Sequence, residues 1–242
     1  MFERVFLHIL PIVVSACVFA FLIAFKENYY SDHLSVIQAC VIQPDKDSLL
    51  QHVGGLRSAK TLLQRNVLLP LAFPHIFFGS SMNLRPPPGV LLHGPPGTGK
   101  TLLVRSLCCE SGAKLVSLGA DTLESKWWGE SSKLLKTAFE FAHNSGPCII
   151  FFDEIDGLLR SRSSFDQDCT YTLKVELLRQ LDGVSQKKGS VIVIACTNNL
   201  SSLDSALLRR LPTHIHVGLP DFEDRVEILR AMASRDGDVD ID

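Results

Sequence analysis

The chain has 242 residues, 46% of them hydrophobic and 21% charged, a globular balance that allows one large domain or two small ones. A formal net charge of -2 leaves no global basic field of the kind a nucleic-acid partner demands. The seven cysteines are odd in number and show no C-x-x-C or Cys/His ligand spacing, which argues against a disulfide framework or a zinc module and for free thiols in a reducing compartment.

Val5–Phe25 is the first element, an apolar run with no Asp, Glu, Lys or Arg. At ~1.5 Å per residue a helix of this length spans roughly 30 Å, the hydrocarbon thickness of a bilayer. A single transmembrane anchor over residues 1–26 is therefore predicted, with membrane contact through 5–25. A secretory signal peptide has a shorter apolar core, and the lone Arg4 makes a weak basic flank for one. Glu3 and Arg4 mirror Lys26 and Glu27, so the flanks encode no orientation. Residues 27–50 are polar and mixed, and read as a linker.

From Val53 onward, apolar β-type runs alternate with amphipathic helical stretches. Gly89–His93 (GVLLH) reads as a buried strand, followed by GPPGTGKT and then a helical TLLVRSLCCE. The order strand, G-x-x-x-x-G-K-T, helix is that of a phosphate-binding (Walker A) loop. Gly94, Pro95, Pro96, Gly97, Thr98 and Gly99 would wrap phosphates with backbone N–H groups, and the following helix start adds positive potential. Lys100 would reach the β- and γ-phosphates and Thr101 would ligate Mg²⁺, with Leu102 beside them.

Cys148–Phe152 (CIIFF) predicts a second buried strand, ending in Asp153-Glu154-Ile155-Asp156 (Walker B). Asp153 is expected to hold Mg²⁺ through water, and Glu154 to act as general base on the attacking water. No guanine-reading N-K-x-D stretch exists, so ATP is the expected nucleotide. A third strand, Val191–Cys196, ends in Thr197-Asn198-Asn199, where Asn198 can hydrogen-bond the γ-phosphate and the lytic water. Arg209 and Arg210 mark a helix end. They gain a catalytic role only if another subunit's γ-phosphate lies against them.

Taken in order, VGGL (Val53–Leu56), GPPGTGKT, KWWGES (Lys126–Ser131), CIIFFDEID, TNN and LDSALLRRLP resemble AAA ATPases over roughly Gln51 to Ala233. SKWWGESSK, DEIDGLLRSR and RRLP are similar to the clade of katanin, spastin and the ESCRT-disassembling ATPase. An anchor just ahead of a single ATPase domain resembles the branch that extracts mislocalised tail-anchored proteins from the outer mitochondrial membrane.

The resemblance implies a three-layer α/β/α P-loop NTPase fold with a mostly parallel sheet, spanning 51–235 as the AAA large subdomain. It implies a homo-oligomer, a hexameric ring with ATP at each interface. Val53 and Gly54 would line the adenine pocket, and Arg209 and Arg210 would reach the neighbour's site. Lys126, Trp127 and Trp128 match the first pore loop, and a second would lie around 160–168. Polypeptide substrates, tail-anchored proteins among them, would be drawn through the channel. The ATPase domain would face the cytosol from the outer mitochondrial membrane, with peroxisomes or the endoplasmic reticulum as alternatives.

Three positions depart from the pattern: His52 replaces Asp, Asn199 replaces Arg and His214 replaces Arg. The last helical stretch, 221–233, is followed only by a few residues, with 236–242 as a truncated start of the family's helical lid. A fragment or a lidless protein is expected. Two other functions stay open at this level, a microtubule-severing enzyme and an ATP-binding regulatory subunit with little turnover.

Overall fold

A computed structural model describes residues 33–42, 50–77, 86–119, 122–123, 131–159, 166–186 and 190–236. The apolar runs form strands because both of their faces are covered, which lets every residue be apolar instead of every second one. The strands are β1 (Val41–Ile42), β2 (Gly89–His93), β3 (Lys114–Leu118), β4 (Cys148–Phe152), β5 (Val191–Thr197) and β6 (Thr213–His216). They form one sheet in the order β1-β3-β4-β5-β2-β6, parallel throughout except at the β1 edge.

Helices cover both sides. The period of two along the strands splits the core in two. Val90 and Leu92 join Ile149, Phe151, Ile192 and Ile194 on one face. There they meet Leu103 and Leu107 of α2 (Lys100–Ser111), and Ala59 and Leu63 of α1 (Arg57–Leu63). Leu91, Ile150 and Val193 point the other way. They pack on Leu134 and Phe139 of α3 (Ser131–Asn144) and Leu177 of α4 (Asp166–Gln186). Each such fully buried Leu or Phe contributes about 1.5–3 kcal/mol. Two further helices are α5 (Ser205–Arg210) and α6 (Phe222–Asp236).

α1 runs on through a π turn, Gln64–Leu68, into Leu69–Ala72. Pro70 has no N–H and its ring crowds the carbonyl four residues back, and the widened turn just before it relieves that crowding.

Part of the stretch expected as a linker belongs to the domain. Residues 33–39 are helical, with Ile37 fully buried, and β1 pairs with β3 through Val41↔Val116 and Ile42↔Leu115. The polar composition concealed this, since only His33 and Ile37 of that helix are buried. The expected anchor, Val5–Phe25, lies outside the described residues. Among the described residues no helix is long and apolar enough to cross a membrane. Of the expected lid segment, 236–242, all but Asp236 likewise lies outside them.

Candidate functional site

The ends of β2, β4 and β5 converge on one cavity because all three strands run the same way and lie side by side. The loop after β2 forms its rim. A Cβ on Gly94 would stand 2.0 Å from the Val217 carbonyl oxygen, so no other residue fits where the loop leaves the sheet. Gly97 and Gly99 hold φ of 76° and 87°, which glycine adopts without steric cost. α2 begins directly after, and its first amides have no acceptors within the helix. Lys100 is only 7% exposed, and its Nζ donates to the carbonyls of Gly94 at 2.9 Å and Pro95 at 2.7 Å. Thr98 Oγ1 donates to the same Pro95 carbonyl at 3.0 Å.

Asp153 and Glu154 follow β4. Thr101 Oγ1 donates to Asp153 Oδ2 at 2.9 Å, which binds the start of α2 to the acidic motif. Glu154 sits at φ 50°, ψ 52°, a left-handed conformation that costs a non-glycine residue roughly 1–3 kcal/mol and recurs at functional sites. Its exposed carboxylate meets Asn198, whose Nδ2 donates to Oε1 at 3.4 Å. Thr197, fully buried, donates to Asp156 Oδ1 at 2.8 Å and accepts the Asn199 N–H at 3.0 Å. That pair fixes the end of β5 to the Asp-Glu turn, a link the sequence reading missed because each motif had been read alone.

The cavity so enclosed measures about 350 Å³ and is lined by Pro96 through Leu102 with Asp153, Glu154 and Asn198. Cys196 forms part of its wall, and burial, with the Asp153 charge nearby, pushes that thiol well above its ordinary range. Burial, followed by His216 and His214, lowers His93 below the usual imidazole value, so it brings no charge to the loop at neutral pH. One hydroxyl and one carboxylate are hard oxygen donors. Among the described residues no cluster of three or more His, Cys, Asp or Glu side chains could hold a metal ion. The donor set fits Mg²⁺ shared with the phosphate oxygens of a nucleotide.

A second cavity of about 170 Å³ adjoins the first through Gly97, Thr98, Gly99 and Leu102. Val53 and Gly54 line it, as the sequence suggested, and α6 closes it with Asp224, Ile228, Ala231 and Met232. A Cβ on Gly54 would lie 2.4 Å from the Ile228 Cα, so backbone rests on backbone there. Gly55 N–H donates to Glu227 Oε2 at 3.0 Å, and Arg57 pairs with Glu227. A slot that is mostly apolar with few polar groups suits a flat purine. The α6 residues were missed as site residues, although the amphipathic stretch 221–233 was seen. The only signal was its helical spacing, which does not say what its inner face covers.

The family described as ATPase family associated with various cellular activities (AAA) matches residues 90–219. The chain belongs to the AAA ATPase family. An outer mitochondrial transmembrane helix translocase of Danio rerio is 45% identical over 183 residues, 75% of this chain and 48% of that protein. The Homo sapiens protein of the same name is 42% identical over 179 residues, 74% of this chain and 49% of its own length. The chain thus spans about half the length of these relatives. The crystal structure of the FIGL-1 AAA domain in complex with ADP superposes with a TM-score of 0.73 at 34% identity, covering 88% of this chain and 69% of that one.

The paired arginines of this AAA domain lie away from its own cavity. α5 ends just before β6, and the Arg210 carbonyl lies close to Gly89, at the start of β2. The phosphate loop leaves the opposite end of β2, four residues on, or about 13 Å away. Arg210 makes a bidentate pair with Asp182 of α4, with both contacts at 2.8 Å. Arg209 is exposed and its Nε donates to the Ser205 carbonyl at 3.2 Å. Lys126, Trp127 and Trp128, expected to form a pore loop, lie outside the described residues, as do 160–165 of the expected second loop.

Proposed function

We propose that the chain is the motor portion of a membrane-anchored protein translocase. It would hydrolyse ATP with Mg²⁺ and use the cycle to draw membrane proteins, tail-anchored ones included, through the pore of a homo-oligomeric ring. The observation that carries this reading is the gathering of Lys100, Thr101, Asp153, Glu154 and Asn198 in one cavity. Its similarity to the translocases supplies the substrate class.

In this mechanism the loop amides and the α2 N-terminus bind the phosphates. Lys100 turns from the loop carbonyls to the β- and γ-phosphate oxygens and balances their charge. Thr101 and Asp153 would hold Mg²⁺, which would supply positive charge against the phosphates when bound. Glu154 takes a proton from the water that attacks the γ-phosphorus, and Asn198 holds that carboxylate and orients the water. The new P–O bond forms as the bond to the bridging oxygen breaks, and the ADP oxygen keeps the electron pair.

Arg209 and Arg210 cannot serve the site of their own chain, and the geometry favours a neighbour's site in a hexameric ring. Arg209 is the freer of the two, since Asp182 holds Arg210. The complete hydrolytic set speaks against a subunit without turnover. Val5–Phe25 would hold the ring on the outer mitochondrial membrane with the ATPase domain in the cytosol. Trp127 and Trp128 would grip the passing chain through flat apolar faces, without reading its sequence.

Reconstitution with a tail-anchored reporter tests the proposal. Wild-type protein should release the reporter from liposomes in an ATP-dependent way. Trp127→Ala should stop release while basal ATPase stays within about threefold. Release that persists in Trp127→Ala sinks the pore-loop assignment.

A further inference from the structure

The phosphate cavity cannot tell ATP from GTP, since both present the same three phosphates to it. The base is chosen in the second cavity, which shares residues 97–99 and Leu102 with the first. A nucleotide with its phosphates in the first cavity places its sugar at that shared opening. Its base then lies deeper, between α6 and the stretch of Val53 and Gly54. Held flat between apolar walls, a base has only its edge left for hydrogen bonds. On that edge adenine carries a 6-amino donor where guanine carries an oxygen acceptor.

An acceptor for that amino group is scarce among the side chains of the slot. Most of its lining is glycine or apolar. The Val53 carbonyl already accepts from Lys60 Nζ, and Thr98 Oγ1 donates to the Pro95 carbonyl. Among the described residues, the one acidic side chain that lines the slot is Asp224. It is half-buried, and among the described residues no hydrogen bond reaches its carboxylate. The two nearby cations are engaged elsewhere, Arg57 with Glu227 and Lys60 with the Val53 carbonyl. A carboxylate has acceptor sites only, so this one is left to take a donor from the ligand. Its place is fixed from two sides. The Asp224 amide donates to Asp221 Oδ1 at 2.8 Å, which holds its backbone in the first turn of α6. A Cβ on Gly55 would stand 2.6 Å from Asp224 Oδ1 and 2.8 Å from its Cβ, so the side chain lies directly on the bare Gly55 Cα. Gly55, at φ 65°, is itself held by Glu227. A group that reads the edge of a base needs such support from its surroundings.

We infer that Asp224 selects adenine by accepting a hydrogen bond from its 6-amino group. The inference rests on the reading of the chain as an ATP-hydrolysing motor given above. Guanine would set its 6-oxygen against the carboxylate, two acceptors with no proton between them, and so lose affinity. The sequence offers no sign of this reader, because Asp224 reaches Gly55 only when α6 folds back over the slot.

The test is a cycle of calorimetric titrations on the full chain with two ligands, ATP and purine riboside 5′-triphosphate, which is ATP without the 6-amino group. Wild-type protein should bind ATP about tenfold more tightly than the analogue, the effect of one hydrogen bond to a charged group at a half-buried site. Asp224→Ala should bind ATP about tenfold more weakly than wild type and the analogue as wild type does, so the preference disappears. Inorganic tripolyphosphate should bind both proteins alike, which shows that the variant folds. Equal binding of ATP and the analogue by wild-type protein overturns the inference without any variant, and the nucleotide reading stands. If Asp224→Ala weakens both nucleotides by the same factor, the carboxylate acts on the sugar and the inference is again overturned. Wild-type protein that binds tripolyphosphate but neither nucleotide removes the nucleotide reading and the inference with it.

Discussion

The two ends of the nucleotide site are built by different means. At the phosphate end, polar side chains hydrogen-bond one another over three adjacent strand ends: Thr101 to Asp153, Asn198 to Glu154, Thr197 to Asp156. At the base end, two glycines let one helix rest on a loop, and Glu227 fastens the contact from 172 residues away. Among the described residues, Leu56 and Glu154 alone combine a side chain with positive φ, and there is one at each end. The phosphate end is thus held by the sheet itself. The base end is held by a helix that only the closing fold delivers. Chemistry should therefore fail when the first end is altered, and affinity when the second is.

The largest effect belongs to the phosphate end. Glu154→Gln keeps the size and the Asn198 contact but cannot accept a proton. Turnover should fall by about 10²–10⁴-fold with ATP affinity within a few-fold of wild type. Steady-state phosphate release and equilibrium binding of a fluorescent ATP analogue read the two quantities separately. A variant that turns over at the wild-type rate would remove Glu154 from its role and dissolve the contrast between the ends.

The same contrast explains what the sequence made legible. Strands β2 and β4 were placed to the residue, because a run as short as CIIFF, rich in β-branched and aromatic side chains and bounded by turn residues, favours a buried strand over a helix. The phosphate loop, Asp153, Glu154 and Asn198, which line one cavity, were legible as candidates because each is local, a strand end with its next few residues. α6 was visible as a helix but not as the wall of a pocket, since Gly54 and Ile228 meet only in three dimensions. β1 escaped for the opposite reason, as a two-residue edge strand in a polar stretch carries no periodic signal. The pairing of Arg210 with Asp182 was equally hidden, because helical spacing does not say which face of α4 the end of α5 meets once β5 has intervened.

An intermediate effect should come from the base end. Gly54→Ala places a methyl group where the Ile228 backbone lies, and backbone cannot yield as a side-chain tip does. Overpacking of this kind costs about 1–3 kcal/mol, so ATP should bind roughly 5–150-fold more weakly. Inorganic tripolyphosphate, which needs only the phosphate end, should bind as it does to wild type. Competition titrations compare the two ligands. An equal loss for both would mean that the ends form one unit.

The smallest effect should come from Glu227. The Arg57 guanidinium first, and then the Gly55 amide, hold its carboxyl below the usual glutamate range. A depressed folded-state value means that the contact is fully present above the ordinary glutamate pKa and is lost as the pH falls through the lower folded value. At neutral pH it is therefore complete, and acid should loosen the base end before burial in the core gives way. Arg57 is largely exposed and Glu227 partly so, so water screens the pair, and its main work is to hold the Gly55 amide in place. Glu227→Gln keeps an acceptor for that amide and loses only the charge. ATP affinity at neutral pH should fall by about two- to fivefold, and the acid-dependent part of its pH profile should flatten. Calorimetric titrations from neutral pH down into the glutamate range measure both. A Glu227→Gln profile that still bends in acid would assign the pH dependence to another carboxylate, with Asp224, which lines the same pocket, the next to replace.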